Sequence, residues 1–103
     1  MIKITIKYKS TGEFISLNSQ GHADSAPYGQ DLVCAAVSGV ILGGINALQG
    51  KNFSLKDNQS KGILELRNIG TMSERDAIVI DTMVIQLQAV ERDNAKFIKI
   101  SIE

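Results

Sequence analysis

The sequence predicts an α+β fold. The architecture expected is a mixed sheet with two helices packed on one face, in the order strand, strand, helix, strand, strand, helix, strand. Three observations predict it. Apolar and polar residues alternate with period two at both ends of the chain. Two long stretches carry helical spacing instead. Short β-rich runs separated by turn residues fall in pairs, one pair ahead of each helix.

The chain opens with "IKITIKYK", where Ile2, Ile4, Ile6 and Tyr8 alternate with Lys3, Thr5, Lys7 and Lys9. That is a half-buried strand. "STGE" supplies a turn, and "FISLN" reads as a second strand, so the two form a hairpin. Gly21 ends that strand and His22 follows directly. Ala23 to Gln30 holds the chain's one proline, Pro27, and Gly29, and reads as a loop. Its place between a strand and a long helix makes it a candidate binding or gating loop.

From about Asp31 to Leu48 the pattern is helical and leaves little polar face, which predicts a buried helix. Gly39 and Gly43 each cost about 1 kcal/mol of helix propensity relative to Ala. Four residues apart, they share a face, and close backbone packing there is preferred to a hinge. "GKN" ends the helix. "FSLKD", the turn "NQSK" and "GILELRN" read as a second hairpin. Ser73 and Asp76 resemble a capping box, with Asp a weaker partner than Glu or Gln. The second helix runs from about Glu74 to Arg92, with Ile80, Met83, Val84, Leu87 and Val90 on one side. "KFIKISI" closes the chain as a strand with Ile98, Ile100 and Ile102 inward. No repeat or linker divides residues 1–103, so one domain is expected.

Composition narrows the function. Lys plus Arg number 11 and Asp plus Glu number 11, a formal net charge of zero. That balance provides no basic footprint for nucleic acid and no polybasic membrane patch. A single cysteine forms no internal disulfide, which fits a reducing compartment. Lys3, Lys7 and Lys9 interrupt any signal-peptide core, and no apolar run reaches membrane-span length. The expectation is a small soluble cytoplasmic protein without a cofactor.

The chain's one histidine and one cysteine both fall in "GHADSAPYGQDLVCAAVS". His22 sits just past a strand and Cys34 in the first turn of a helix. Unpaired N–H groups and the positive end of the helix dipole favour a thiolate there. A nearby His can carry a proton to a leaving amine, and the same N–H groups can receive an oxyanion. Asp31 reads first as the N-cap, a role compatible with orienting His22 or a substrate amide. Ser38, four residues after Cys34, faces the thiol or bonds back to a helix carbonyl. Gly29 reads equally as a loop hinge or as the start of the helix. A lone Cys in "LVCAAV" also reads as a small buried hydrophobe, and a lone His after a strand as surface. Spacing alone leaves both readings open. One Cys and one His do not close a zinc sphere. "GINALQGK" has five residues between its outer glycines where a phosphate loop needs four.

The run Gly21, His22, Ala23, then Gly29, Asp31, Cys34, Ala35 and Ser38 resembles the signature of the ribosomal-processing cysteine protease family, Prp. "DTMVIQLQAVERDN" is similar to the family's second helix. The departure is Ser25-Ala26-Pro27, where Pro27 stiffens the loop. The resemblance implies a cytoplasmic cysteine endopeptidase with a Cys34–His22 dyad and a loop that closes over its peptide. It implies a substrate: the N-terminal extension of the large-subunit ribosomal protein numbered twenty-seven. It also implies a homodimer, joined through the glycine face of the first helix or an exposed strand. Gly21, Ala23, Gly29, Asp31 and Ser38 become binding or orienting residues. Two other classes remain: a ribosome-associated protein-binding module with an inert Cys, and an RNA-binding protein. Neutral charge and 5% aromatic content speak against the second.

Overall fold

The alternating isoleucines build the first and last strands, and the computed structural model, which describes residues 1–27 and 30–103, sets them side by side. Strands β1 (Ile2–Tyr8) and β2 (Phe14–Gln20) form the first hairpin. Helix α1 (Leu32–Ala47) follows, then β3 (Phe53–Asn58) and β4 (Ile63–Asn68) around a short 3-10 turn at Gln59–Lys61. Helix α2 (Glu74–Asp93) and β5 (Ile98–Ile102) complete the order read from the sequence. The five strands lie as β3-β4-β2-β1-β5. β5 runs parallel to β1, with Ile2, Ile4 and Ile6 opposite Ile98, Ile100 and Ile102, and the other pairs are antiparallel.

Period two decides the faces. Ile2, Ile4, Ile6, Leu17, Leu66 and Ile98 point to one side and are buried. Val33, Val37 and Ile41 of α1 and Ile80, Met83, Val84 and Leu87 of α2 close over them. Lys3, Thr5, Lys7, Ser16, Asn18 and Arg67 line the opposite, uncovered face. Both helices therefore share one side of the sheet. Among the described residues no helix is long and apolar enough to cross a membrane.

Four expectations need correction. α1 is not buried all round: one stripe packs inward, while Leu32 is 81% exposed and Leu42 38%. Ala35 and Ala36 are also exposed, while Val40 and Ile45 are partly buried against the core. Within this chain Gly39 and Gly43 pack against neither sheet nor helix, because a Cβ at either would meet nothing. The close approach belongs to Gly44, whose Cα faces the buried Met83 side chain. The capping box forms only its first half. Ser73 Oγ accepts the Asp76 N–H at 3.1 Å, but the Asp76 carboxylate turns away to take the N–H groups of Gln49 and Gly50, at 3.0 and 2.8 Å. These lie just past the end of α1, so one buried acid ties the two helices together. Arg75, 3.7 Å away, adds its charge. The backbone donors, led by Gln49, lower the Asp76 pKa against the opposing effect of burial. Ile98 is fully buried, but Ile102, at the far end of the edge strand β5, is 50% exposed.

Candidate active site

The site is built where β2 hands over to α1. Gly21 follows β2 with φ +90°, and a Cβ there would run into the Met1 carbonyl oxygen. Only glycine meets both conditions. The turn sends the His22 side chain outward and buries Ala23 in the core. Asp24 then takes φ 56°, left-handed backbone that Asp tolerates better than most residues. The chain reverses, and Ser25 comes back onto Asp31.

Asp31 is the N-cap of α1, as its position predicts. Its Oδ1 accepts the N–H groups of Val33 and Cys34, each at 3.0 Å. The same carboxylate takes the Ser25 hydroxyl at 2.5 Å and the Ser25 N–H at 2.9 Å. Four donors on one acid lower its pKa to about 2, with the Ser25 hydroxyl contributing most, the Cys34 N–H next, and burial opposing. Asp31 thus fixes the helix start and the loop together. Its bonds go to Ser25, Val33 and Cys34 and not to His22.

Cys34 is half-buried against the core. Its Sγ accepts the Ala23 N–H at 3.3 Å, which joins the segment just after His22 to the first turn of the helix. His22, Cys34 and Ser38 line one groove of about 430 Å³, between α1 and the part of the sheet near β3 and β4 that the helices leave open. Ile41 and Leu64 give it an apolar floor, and Asp57 stands at its wall. Ser38 is exposed, and among the described residues its hydroxyl meets no helix carbonyl. Three of the helix-start N–H groups are already engaged: Val33 and Cys34 give theirs to Asp31 Oδ1, and Ala35 gives its own to the Asp31 carbonyl. The amide that faces the thiol is Ala23. Gly29, read equally as a loop hinge or as the helix start, lies outside the described residues. Among these residues no three His, Cys, Asp or Glu side chains gather as metal ligands.

Two parts of this site were missed in the sequence. Gly62 reads there as the first residue of a strand, yet it caps the 3-10 turn in left-handed backbone and lines the groove beside His22. Ser25 reads as loop filler, yet it supplies the strongest donor to Asp31. The polar pair Asp24-Ser25 a few residues ahead of an N-cap is at most a weak signal for Ser25, since short side-chain oxygens favour such local bonds.

The sequence profile of the family described as cysteine protease Prp matches residues 1–99. The chain belongs to the cysteine protease Prp family. It is a cysteine protease. The ribosomal processing cysteine protease Prp of Staphylococcus aureus is 29% identical over 104 residues, covering 98% of each chain. That of Bacillus subtilis is 31% identical over 100 residues, covering 90% of this chain and 89% of its own. Among solved structures, the S. aureus protease Prp with a covalently linked product peptide superposes with a TM-score of 0.94 at 27% identity over the whole of both chains. The same S. aureus protease with a substrate peptide gives 0.89 at 25% identity, again over both whole chains. Membership in the Prp family sets aside the module with an inert cysteine, and the α+β architecture is that of the Prp structures.

Proposed function

We propose that Cys34 is the nucleophile and His22 the general base and acid of an endopeptidase that trims the N-terminal extension of the large-subunit ribosomal protein numbered twenty-seven, in the cytoplasm. One observation carries the assignment of the nucleophile: a cysteine protease needs a thiol, and Cys34 is the chain's one cysteine, set in a groove that His22 also lines. The Cys34 thiolate attacks the scissile carbonyl carbon, forming a C–S bond and a tetrahedral oxyanion. His22, protonated, gives its proton to the departing amine as the C–N bond breaks. Water, deprotonated by His22, then attacks the thioester, and the C–S bond breaks to free the acid and the thiol. The Ala23 N–H, aimed at Sγ, supports the thiolate first and the oxyanion next to it afterwards. The covalently linked product in the S. aureus relative supports a covalent step of this kind.

Asp31 and Ser38 serve the same site at one remove. Asp31 fixes the first turn that presents the thiol, and Ser38 offers a hydroxyl to the bound peptide. The peptide lies along the apolar floor. The family resemblance supports a homodimer, and the exposed outer face of α1 around Gly39 and Gly43 is available for it. Incubation with the extended ribosomal protein, followed by mass spectrometry, tests the proposal directly. A single cut that releases the extension is expected. An uncut substrate with wild-type enzyme and a reactive Cys34 would reject this substrate.

A further inference from the structure

Nothing among the described residues fixes the His22 ring by a hydrogen bond, and the side chain is exposed. Its ring lies against a glycine from the other hairpin. Gly62 ends the 3-10 turn between β3 and β4 with φ 64° and ψ 37°. Its carbonyl accepts the N–H of Gly21, the residue before His22, at 2.9 Å. Its bare Cα faces the imidazole. A Cβ there would lie 2.8 Å from Nε2, 3.1 Å from Cε1 and 3.3 Å from the Gly21 carbonyl oxygen. Ordinary contact between such atoms begins roughly 0.5 Å farther out. The ring therefore sits in space that only a glycine leaves open.

We propose that Gly62 is a positioning residue for peptide cleavage: its missing side chain is the seat of the His22 ring, and any side chain there turns the imidazole away from Cys34. The inference rests on the assignment of His22 as base and acid. Because His22 is exposed, the ring escapes a new Cβ by rotating into solvent, at little cost to the core. The loss then falls on catalysis, where misplacement by about 1 Å costs on the order of 100-fold. Gly62 acts through His22 and touches no reacting atom.

Four variants test this. Gly62→Ala adds the Cβ. Gly62→Asn adds it too, while suiting left-handed backbone far better than Ala. Gly12→Ala places a Cβ at φ +91° with nothing within reach, and so reports backbone strain alone. His22→Ala removes the ring. Gly62→Ala and Gly62→Asn should both lose at least about 10-fold in kcat with KM within about threefold. Gly12→Ala should keep its kcat. The pH profile of Cys34 alkylation by iodoacetamide should change in Gly62→Ala to match His22→Ala, and Gly62→Ala should add nothing in the His22→Ala background. Wild-type kcat in either Gly62 variant would overturn the proposal, as would further slowing of alkylation in the double variant. Failure of both variants to fold would also count against it, by assigning Gly62 to stability. Normal cleavage by His22→Ala would remove the dyad, and this inference with it. An inactive His22→Ala beside a fully active Gly62→Ala would overturn this inference alone.

Discussion

Cys34, His22 and Asp31 have separable effects. Cys34→Ala should keep the fold, since Ala is small and favours helix, and should abolish cleavage. Cys34→Ser should be nearly inactive, because an alcohol is far less ionised than a thiol. Near wild-type cleavage by Cys34→Ala would sink the nucleophile assignment. His22→Ala should lose about 100-fold or more in rate, read by timed mass spectrometry of the product. Asp31 adds a pH dependence. Its pKa, at about 2, lies below the ordinary 3.8 of the unfolded chain. Stability from its bonds is therefore complete above the ordinary carboxylate range and is lost as pH falls through that range toward about 2. In Ser25→Ala the largest contribution goes, so Asp31 should titrate closer to 3.8. An NMR titration that still finds it near 2 would mean that the backbone donors suffice.

At the scale of elements, the joint between the helices is the most exposed to test. Asp76 is fully buried and answers two N–H groups past the end of α1. Asp76→Ala leaves both without a partner, so Tm should fall by about 5 °C or more. Amide exchange should quicken at Gln49 and Gly50. Because the Asp76 pKa is lowered on folding, its contribution is present above the ordinary carboxylate range and disappears as pH drops below it. A Tm unchanged by the substitution would show that water replaces the carboxylate. The strands and helices were legible because period two and helical spacing each act within one element. Ile2, Ile4 and Ile6 needed no partner to be read as one face. The motif around His22 and Cys34 was legible too, as a run of adjacent residues. What could not be read depends on which element lies opposite. Nothing near Gly44 announces Met83, and nothing near Gly62 announces His22. The outer face of α1 failed for a related reason: apolar sequence all round says a helix can be buried, not that neighbours suffice to bury it.

For the whole molecule, we propose that residues 1–103 unfold as one unit. Leu17 is fully buried on the central strand β2, opposite Ile6 and Leu66. Leu17→Ala should cost about 2–5 kcal/mol, and circular dichroism in the helix region and near-ultraviolet signals should lose structure at the same denaturant concentration. Two separated midpoints would argue for two units. The proposed dimer is checked by sedimentation. Gly43→Arg on the open face of α1 should dissociate it, and unchanged sedimentation would place the interface elsewhere.

The pairing of β1 with β5 has a consequence during synthesis. Ile2 must find Ile98, so β1 gains this neighbour only after β5 has been made. Contacts so distant in sequence form late and slow folding. A nascent chain still lacking β5 presents Ile4 and Ile6 beside an open strand edge, a template for mispairing. The thiol at residue 34 has by then long left the ribosome. If its groove needs the finished sheet, the protease becomes active only once β5 is in place, and stalled chains that end ahead of residue 98 should neither cut peptide nor resist proteolysis.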